Sequence, residues 1–157
     1  SRHKIFLRLR YPNNGYSDTA AFTVRKDNNR DINGDGYPDL VVGADQYNTS
    51  QGRVYIFLSR GTSGLASQGA ASANAIITGE TTNDQFGISL ALDDFNGDGY
   101  DDLIVGAFQY SAGGNTGRVY VFAAAGQAGI SASSPGSAAA ILTGEGANNR
   151  FGRAMPF

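Results

Sequence analysis

Cysteine and tryptophan are absent from this chain, and histidine and methionine occur once each. Without cysteine there is neither a disulfide framework nor a thiolate for metal binding or nucleophilic attack. The one histidine, His3, lies in a basic N-terminal stretch outside the patterned part of the sequence, so it reads as a surface residue and not as a general base. Apolar runs reach only strand length, far short of the ~20 residues that a membrane-crossing helix needs. No Gly-rich phosphate loop, zinc-ligand spacing or nucleophile triad is present. No catalytic residue is therefore assigned, the protein is expected not to be an enzyme, and membrane insertion is not expected.

Charge is unevenly spread. Residues 1–30 hold Arg2, Lys4, Arg8, Arg10, Arg25, Lys26 and Arg30 against Asp18 and Asp27, whereas the remaining residues hold five basic side chains against twelve acids. A basic arm suggests an acidic partner, but single-strand binders combine denser charge with aromatic stacking platforms, so no nucleic-acid partner is expected. The arm, residues 1–30, is set apart as a segment of uncertain structure. At 157 residues the chain is long enough to bury a core of its own.

What the sequence has in quantity is glycine and loop carboxylates, and they recur together. DINGDGYPD spans Asp31 to Asp39 and DFNGDGYDD spans Asp94 to Asp102. Oxygens at alternating positions of such a loop can wrap a hard cation. The ligand set is Asp31, Asn33, Asp35, the Tyr37 carbonyl and Asp39 in the first loop, and Asp94, Asn96, Asp98, the Tyr100 carbonyl and Asp102 in the second. Gly36 and Gly99 stand at the sixth position, where the backbone turns through conformations closed to side chains. An EF-hand would require a Glu at position twelve and a following helix. Here that position is Val42 or Val105, within LVVGA or LIVGA, and β-branched runs of this kind form buried strands. The plainer alternative is a tight Asn-Gly turn, yet three carboxylates within nine residues repel one another unless a cation lies between them. Two calcium ions per chain are expected.

The loops belong to a longer period. Asp31 maps to Asp94, a shift of 63; Gly52-Arg53-Val54-Tyr55 maps to Gly117-Arg118-Val119-Tyr120, a shift of 65; Thr78-Gly79-Glu80 returns at Thr143-Gly144-Glu145, and Phe86-Gly87 at Phe151-Gly152. One period reads as four strands: FGISLAL (86–92), DLIVGA (102–107), GRVYVF (117–122) and AAAILT (138–143). Four strands make one propeller blade. Residues 31–85 and 86–150 are thus two repeats, and 151–157 begin a further strand. In the first repeat the residues aligned with the first strand, TVRKDNNR, are too polar for an inner strand, so that blade is expected to lack it.

Phe-Gly, then Asp-x-Asn-Gly-Asp-Gly, then Val-Gly-Ala and Gly-Arg-Val-Tyr in this order resemble the FG-GAP repeat of integrin α-chain propellers and their bacterial relatives. The resemblance covers residues 31–157. It implies an all-β propeller whose calcium loops join the first and second strands of a blade. The family's Gly-Ala-Pro is Gly43-Ala44-Asp45 in one copy and Gly106-Ala107-Phe108 in the other. The function expected is a non-enzymatic, calcium-binding module for extracellular or cell-surface adhesion or ligand binding, with a protein or glycan as ligand. No secretion signal is recognisable. One alternative is a lectin-like ring that stacks sugars on Tyr47, Tyr110, Tyr55 and Tyr120; another is a blade fragment of a larger enzyme or adhesin. Glu80 and Glu145 are expected to cap turns or bridge blades. Two blades cannot close a ring, so either further blades of a longer chain or a homo-oligomer is expected, three chains giving six blades. In that reading Phe151, Met155 and Phe157 complete the neighbour's blade.

Overall fold

The computed structural model describes residues 3–7, 20–24, 30–110 and 114–155. The protein is all-β, with two antiparallel sheets of three and four strands and a separate hairpin. The hairpin pairs β1 (His3–Leu7) with β2 (Ala20–Val24), His3 opposite Val24. The first blade is β3 (Leu40–Ala44), β4 (Arg53–Phe57) and β5 (Ala75–Thr78), in that order. The second is β6 (Ser89–Asp93), β7 (Asp102–Ala107), β8 (Arg118–Phe122) and β9 (Ala140–Thr143). Consecutive strands pair antiparallel, as in a meander. The blade-two strands fall on the four segments read from the sequence; the first sheet has three strands among the described residues, and residues 25–29 of the polar TVRKDNNR segment, expected not to form an inner strand, lie outside them.

One boundary differs from the sequence reading. FGISLAL was expected to be a single strand, but β6 begins at Ser89. Phe86 instead forms a parallel bridge with Gly52 of the first blade, and Phe151 forms the same bridge with Gly117 of the second. The Phe-Gly pair therefore lies across the preceding blade before its own strand begins. Glycine is required where it crosses. A Cβ on Gly43 would lie 2.1 Å from the Gly87 carbonyl oxygen, and one on Gly106 would lie 1.9 Å from that of Gly152. Gly87 also donates its N–H to the Gly106 carbonyl at 2.9 Å. The Gly in Val-Gly-Ala is thus explained by the backbone of the next repeat, which packs directly on it.

The same crossing places the C-terminal segment against its own chain. Phe151 docks on Gly117 of its own chain, and Met155 packs with Ala91, Ile104, Val119 and Val121 on the second blade. Phe157 lies outside the described residues.

A single core fills the space between the blades. Ile32, Val54, Ile56, Ile77 and Phe86 meet Leu103, Val105, Tyr120, Phe122 and Ile130, all at most 5% exposed. Phe86 sits edge-on to Tyr120 and Phe122, with ring centroids 5.4 and 6.4 Å away. Each such ring contributes about 1.5–3 kcal/mol by burial, with about 0.5–1.5 kcal/mol more from edge-to-face geometry. Beside this core Arg118 meets Glu80 at 3.3 Å and the Tyr120 hydroxyl donates to Glu80 at 3.2 Å. A partly exposed pair of this kind is worth only about 0–1 kcal/mol, so apolar packing holds the blades together and the polar contacts fix their register.

Gly106→Ala should destabilise the fold by roughly 1–3 kcal/mol or more, because the obstacle is backbone and cannot swing away. Gly69→Ala, at φ −78 with nothing within 4 Å of the added carbon, should be close to neutral. Urea unfolding of the two variants beside the wild type measures the difference.

Candidate metal centre

Each acidic loop is shaped by its own side chains. In the first, Asp31 accepts hydrogen bonds from the Gly36 N–H at 2.7 Å and the Asp35 N–H at 3.1 Å. Asn33 Oδ1 also accepts from the Asp35 N–H at 3.1 Å, and Asp35 accepts from the Tyr37 N–H at 2.9 Å. The second loop repeats the net: Asp94 with Gly99 at 2.8 Å, Asn96 with Asp98 at 2.7 Å, Asp98 with Tyr100 at 2.9 Å. Short Asx-type bonds of this kind wind a loop tightly, and glycine supplies the turn at φ +92 in Gly36 and +95 in Gly99.

The last carboxylate of each loop does something the sequence did not reveal. Asp39 is buried and accepts from the Ile32 N–H at 2.9 Å and the Ser59 N–H at 2.8 Å. Asp102 is buried likewise and accepts from the Ala124 N–H at 2.9 Å. Both therefore tie the loop to the chain leaving β4 or β8. Burial raises the pKa of Asp39, with the charges of Asp31 and Asp35 adding to the rise and the two backbone N–H groups opposing it. Asp102 is raised for the same first reason, and Asp98 adds to it.

The two loops also touch each other. Asp101 accepts from the Asp31 N–H at 2.7 Å, and its own N–H donates to the Asp31 carbonyl at 3.1 Å. Sequence reading passed over Asp101. The signal available was the difference at position eight, where the first loop has Pro38. The Tyr100 ring lies over Gly34, within 2.4 Å of where a Cβ would stand.

All ten expected ligand residues lie in these loops, five to each. Among the described residues, no three His, Cys, Asp or Glu side chains are drawn into one metal-sized cluster; several of the loop oxygens accept from backbone N–H groups. The donor set nonetheless fits a hard cation. It consists of oxygens alone, and an ionised carboxylate keeps further lone pairs after accepting one bond per oxygen. Burial is the main cause of the raised Asp39 and Asp102 pKa values, and the neighbouring carboxylates that add to it are charges that a cation would offset.

Three of the four candidate sugar-stacking rings are engaged within the chain, Tyr47, Tyr110 and Tyr120, while Tyr55 is half-buried. The Arg118 guanidinium lies 3.6 Å from the centre of the Tyr110 ring, and Arg53 lies 3.8 Å from that of Tyr47. Tyr110 and Tyr120 are buried, whereas Tyr47 is exposed. The Tyr120 phenol is pushed well up by burial, with the Glu80 carboxylate adding to the rise, so it stays protonated and donates. Glu80 thus bridges blades, while Glu145, its counterpart, is exposed.

Among the described residues no helix is long and apolar enough to cross a membrane. The FG-GAP repeat family model matches residues 29–57 and 86–122, the acidic loops and the strands that follow them. Human phosphatidylinositol-glycan-specific phospholipase D is 35% identical over 136 residues, which are 82% of this chain and 15% of that protein. Mouse integrin alpha-IIb is 37% identical over 101 residues, covering 59% of this chain and 9% of the integrin. Human integrin alpha-IIb is 40% identical over 102 residues, again 59% and 9%. The chain thus spans less than a sixth of the length of each of these relatives. With the family's loops, its Phe-Gly crossings and its blade sheets all in place, the chain belongs to the FG-GAP repeat family, and its two repeats are integrin-like β-propeller blades.

Proposed function

We propose that this chain is a calcium-binding propeller module, non-enzymatic, that works outside the cell or at its surface in adhesion or in binding a protein or glycan. The observation that carries the calcium reading is the near-identity of the two loops in hydrogen bonding. The same Asp, Asn and Asp accept the same backbone N–H groups at positions one, three and five. Asp31, Asn33, Asp35, Asp39 and the Tyr37 carbonyl would hold one ion, and Asp94, Asn96, Asp98, Asp102 and the Tyr100 carbonyl the other. A bound cation supplies positive charge among carboxylates that otherwise repel. The residues do the rest: the Asx turns set the loop's curvature, and Asp39 and Asp102 fasten it to the blade.

An extracellular setting agrees with a short, solvent-facing loop, since extracellular calcium modules work at about 10⁻⁴–10⁻³ M. The integrin relatives favour adhesion. The phospholipase relative keeps a second reading open, in which these blades form part of a larger enzyme without carrying its chemistry. The buried Tyr110 and the guanidinium on its ring weigh against the lectin-like reading.

Isothermal titration of chelator-treated protein should give two calcium sites per chain, one for each loop. Saturation at a hundred times Kd should add ~2.7 kcal/mol per site, a rise of roughly 5–10 °C in melting temperature at this chain length. Asp35→Ala and Asp98→Ala, both at exposed positions, should each remove one site. Absence of binding, or melting indifferent to chelator, rejects the calcium reading.

Glycosides, esters and phosphoesters should not be turned over with calcium present, because the sequence offers no recognisable acid–base pair outside the acidic loops. Turnover that vanishes in Glu80→Gln or Glu145→Gln would replace the binding-module reading with an enzymatic one.

A further inference from the structure

The first ligand residue of each acidic loop donates its N–H to a carboxylate, but the two loops find that carboxylate in different places. In the second loop the Asp94 N–H goes to Asp93, the adjacent residue, at 2.9 Å. In the first loop the adjacent residue is Arg30, whose side chain has no acceptor, and the Asp31 N–H goes to Asp101 of the other loop at 2.7 Å. Asp101 closes the contact from its backbone as well, donating its own N–H to the Asp31 carbonyl at 3.1 Å. The position equivalent to Asp101 in the first loop is Pro38, which has neither a carboxylate nor an N–H to offer. The first loop is thus held by an acid that belongs to the second.

Asp101 stands between two residues of the second ligand set. On one side Tyr100, whose carbonyl is in that set, lays its ring over Gly34 of the first loop. On the other side Asp102 opens β7 opposite Asp93 of β6 and accepts from the Ala124 N–H at 2.9 Å. Within the first loop Asp31 is the residue around which the turn is wound, since its carboxylate accepts from the Gly36 and Asp35 N–H groups. Residues 100 and 101 therefore fasten the first loop at its first and fourth positions, and they do so from a segment that carries ligands for the second. A carboxylate that accepts a backbone N–H makes a stronger bond than a neutral acceptor does. Ordering a loop in advance lowers the entropy that a later binding event must remove.

We propose that Asp101 is a positioning residue for the calcium site of the other loop and couples the two sites, so that order imposed on residues 98–102 is passed to Asp31. The inference rests on the calcium reading of the loops. Occupancy of the second loop prepares the first, and by reciprocity the first prepares the second. The link runs through hydrogen bonds and ring packing inside this pair of blades.

Calcium is titrated calorimetrically into chelator-treated protein, with circular dichroism to establish that each variant is folded. Asp98→Ala leaves only the first loop able to bind, and Asp35→Ala only the second. In the Asp98→Ala background, Asp101→Ala should weaken the remaining site by about tenfold, although it alters the loop that does not bind. Asp101→Asn keeps an acceptor oxygen and should retain most of the affinity. In the wild type the two ions should bind with at least about fivefold positive cooperativity, and Asp101→Ala should make the sites independent. Amide exchange followed by NMR reads the same link directly: in Asp35→Ala, calcium in the second loop should slow exchange of the Asp31 N–H, and adding Asp101→Ala should abolish the slowing. The wild-type cooperativity and the exchange measurement in Asp35→Ala decide the matter even where Asp101→Ala does not fold. Two ions bound independently by the wild type, or a first loop indifferent to Asp101→Ala, overturns the coupling and leaves the calcium reading intact. A wild type that binds no calcium overturns both.

Discussion

The close approach of backbone to backbone at Gly43 and Gly87, and again at Gly106 and Gly152, is the constraint on which the arrangement rests. A Phe-Gly pair must cross the preceding sheet at a distance where a Cβ would fall 2.1 or 1.9 Å from a carbonyl oxygen. Only a glycine in the strand beneath permits this. Once the crossing is made, Phe86 is delivered between the blades, where it meets Tyr120 and Phe122. A repeat protein of this kind is stabilised through neighbour contacts, and the crossing is what makes neighbours meet at a fixed depth.

Around that junction the contributions are unequal. Aromatic and aliphatic burial supplies most of the free energy, while Glu80, Arg118 and Tyr120 form a partly exposed set whose net worth is small. Their value lies in direction: a carboxylate on one blade and a guanidinium with a phenol on the next admit one register. Asp39 and Asp102 work similarly within a blade. Each gives up solvent, at a cost visible in its raised pKa, and in return anchors a loop to the sheet through backbone N–H groups.

The relatives place these features in longer proteins. Integrin alpha chains and a phosphatidylinositol-glycan-specific phospholipase D share the repeat over a small part of their length. A blade pair is thus a structural unit that can serve proteins with different names. Chemistry specific to any of them has to reside in loops, faces and partners and does not follow from the blade itself.

By itself the sequence determined the blade count, the positions of the acidic loops and most strand boundaries, because these follow from local signals: β-branched alternation, Asx-Gly turns and a repeat of 63 to 65 residues. Other features are decided by residues far apart in the chain. Phe86 looks like the first residue of a strand, yet it bridges Gly52, because the preceding blade offers a glycine where it can dock. Met155 looks available to a neighbour, yet it packs on Val119 and Ile104 of its own sheet. Asp101 is one more acid in an acidic loop until Asp31, 70 residues away, donates its N–H to it. Local pattern reports what a segment can form; which surface that segment then meets is set by the packing of one blade on the next.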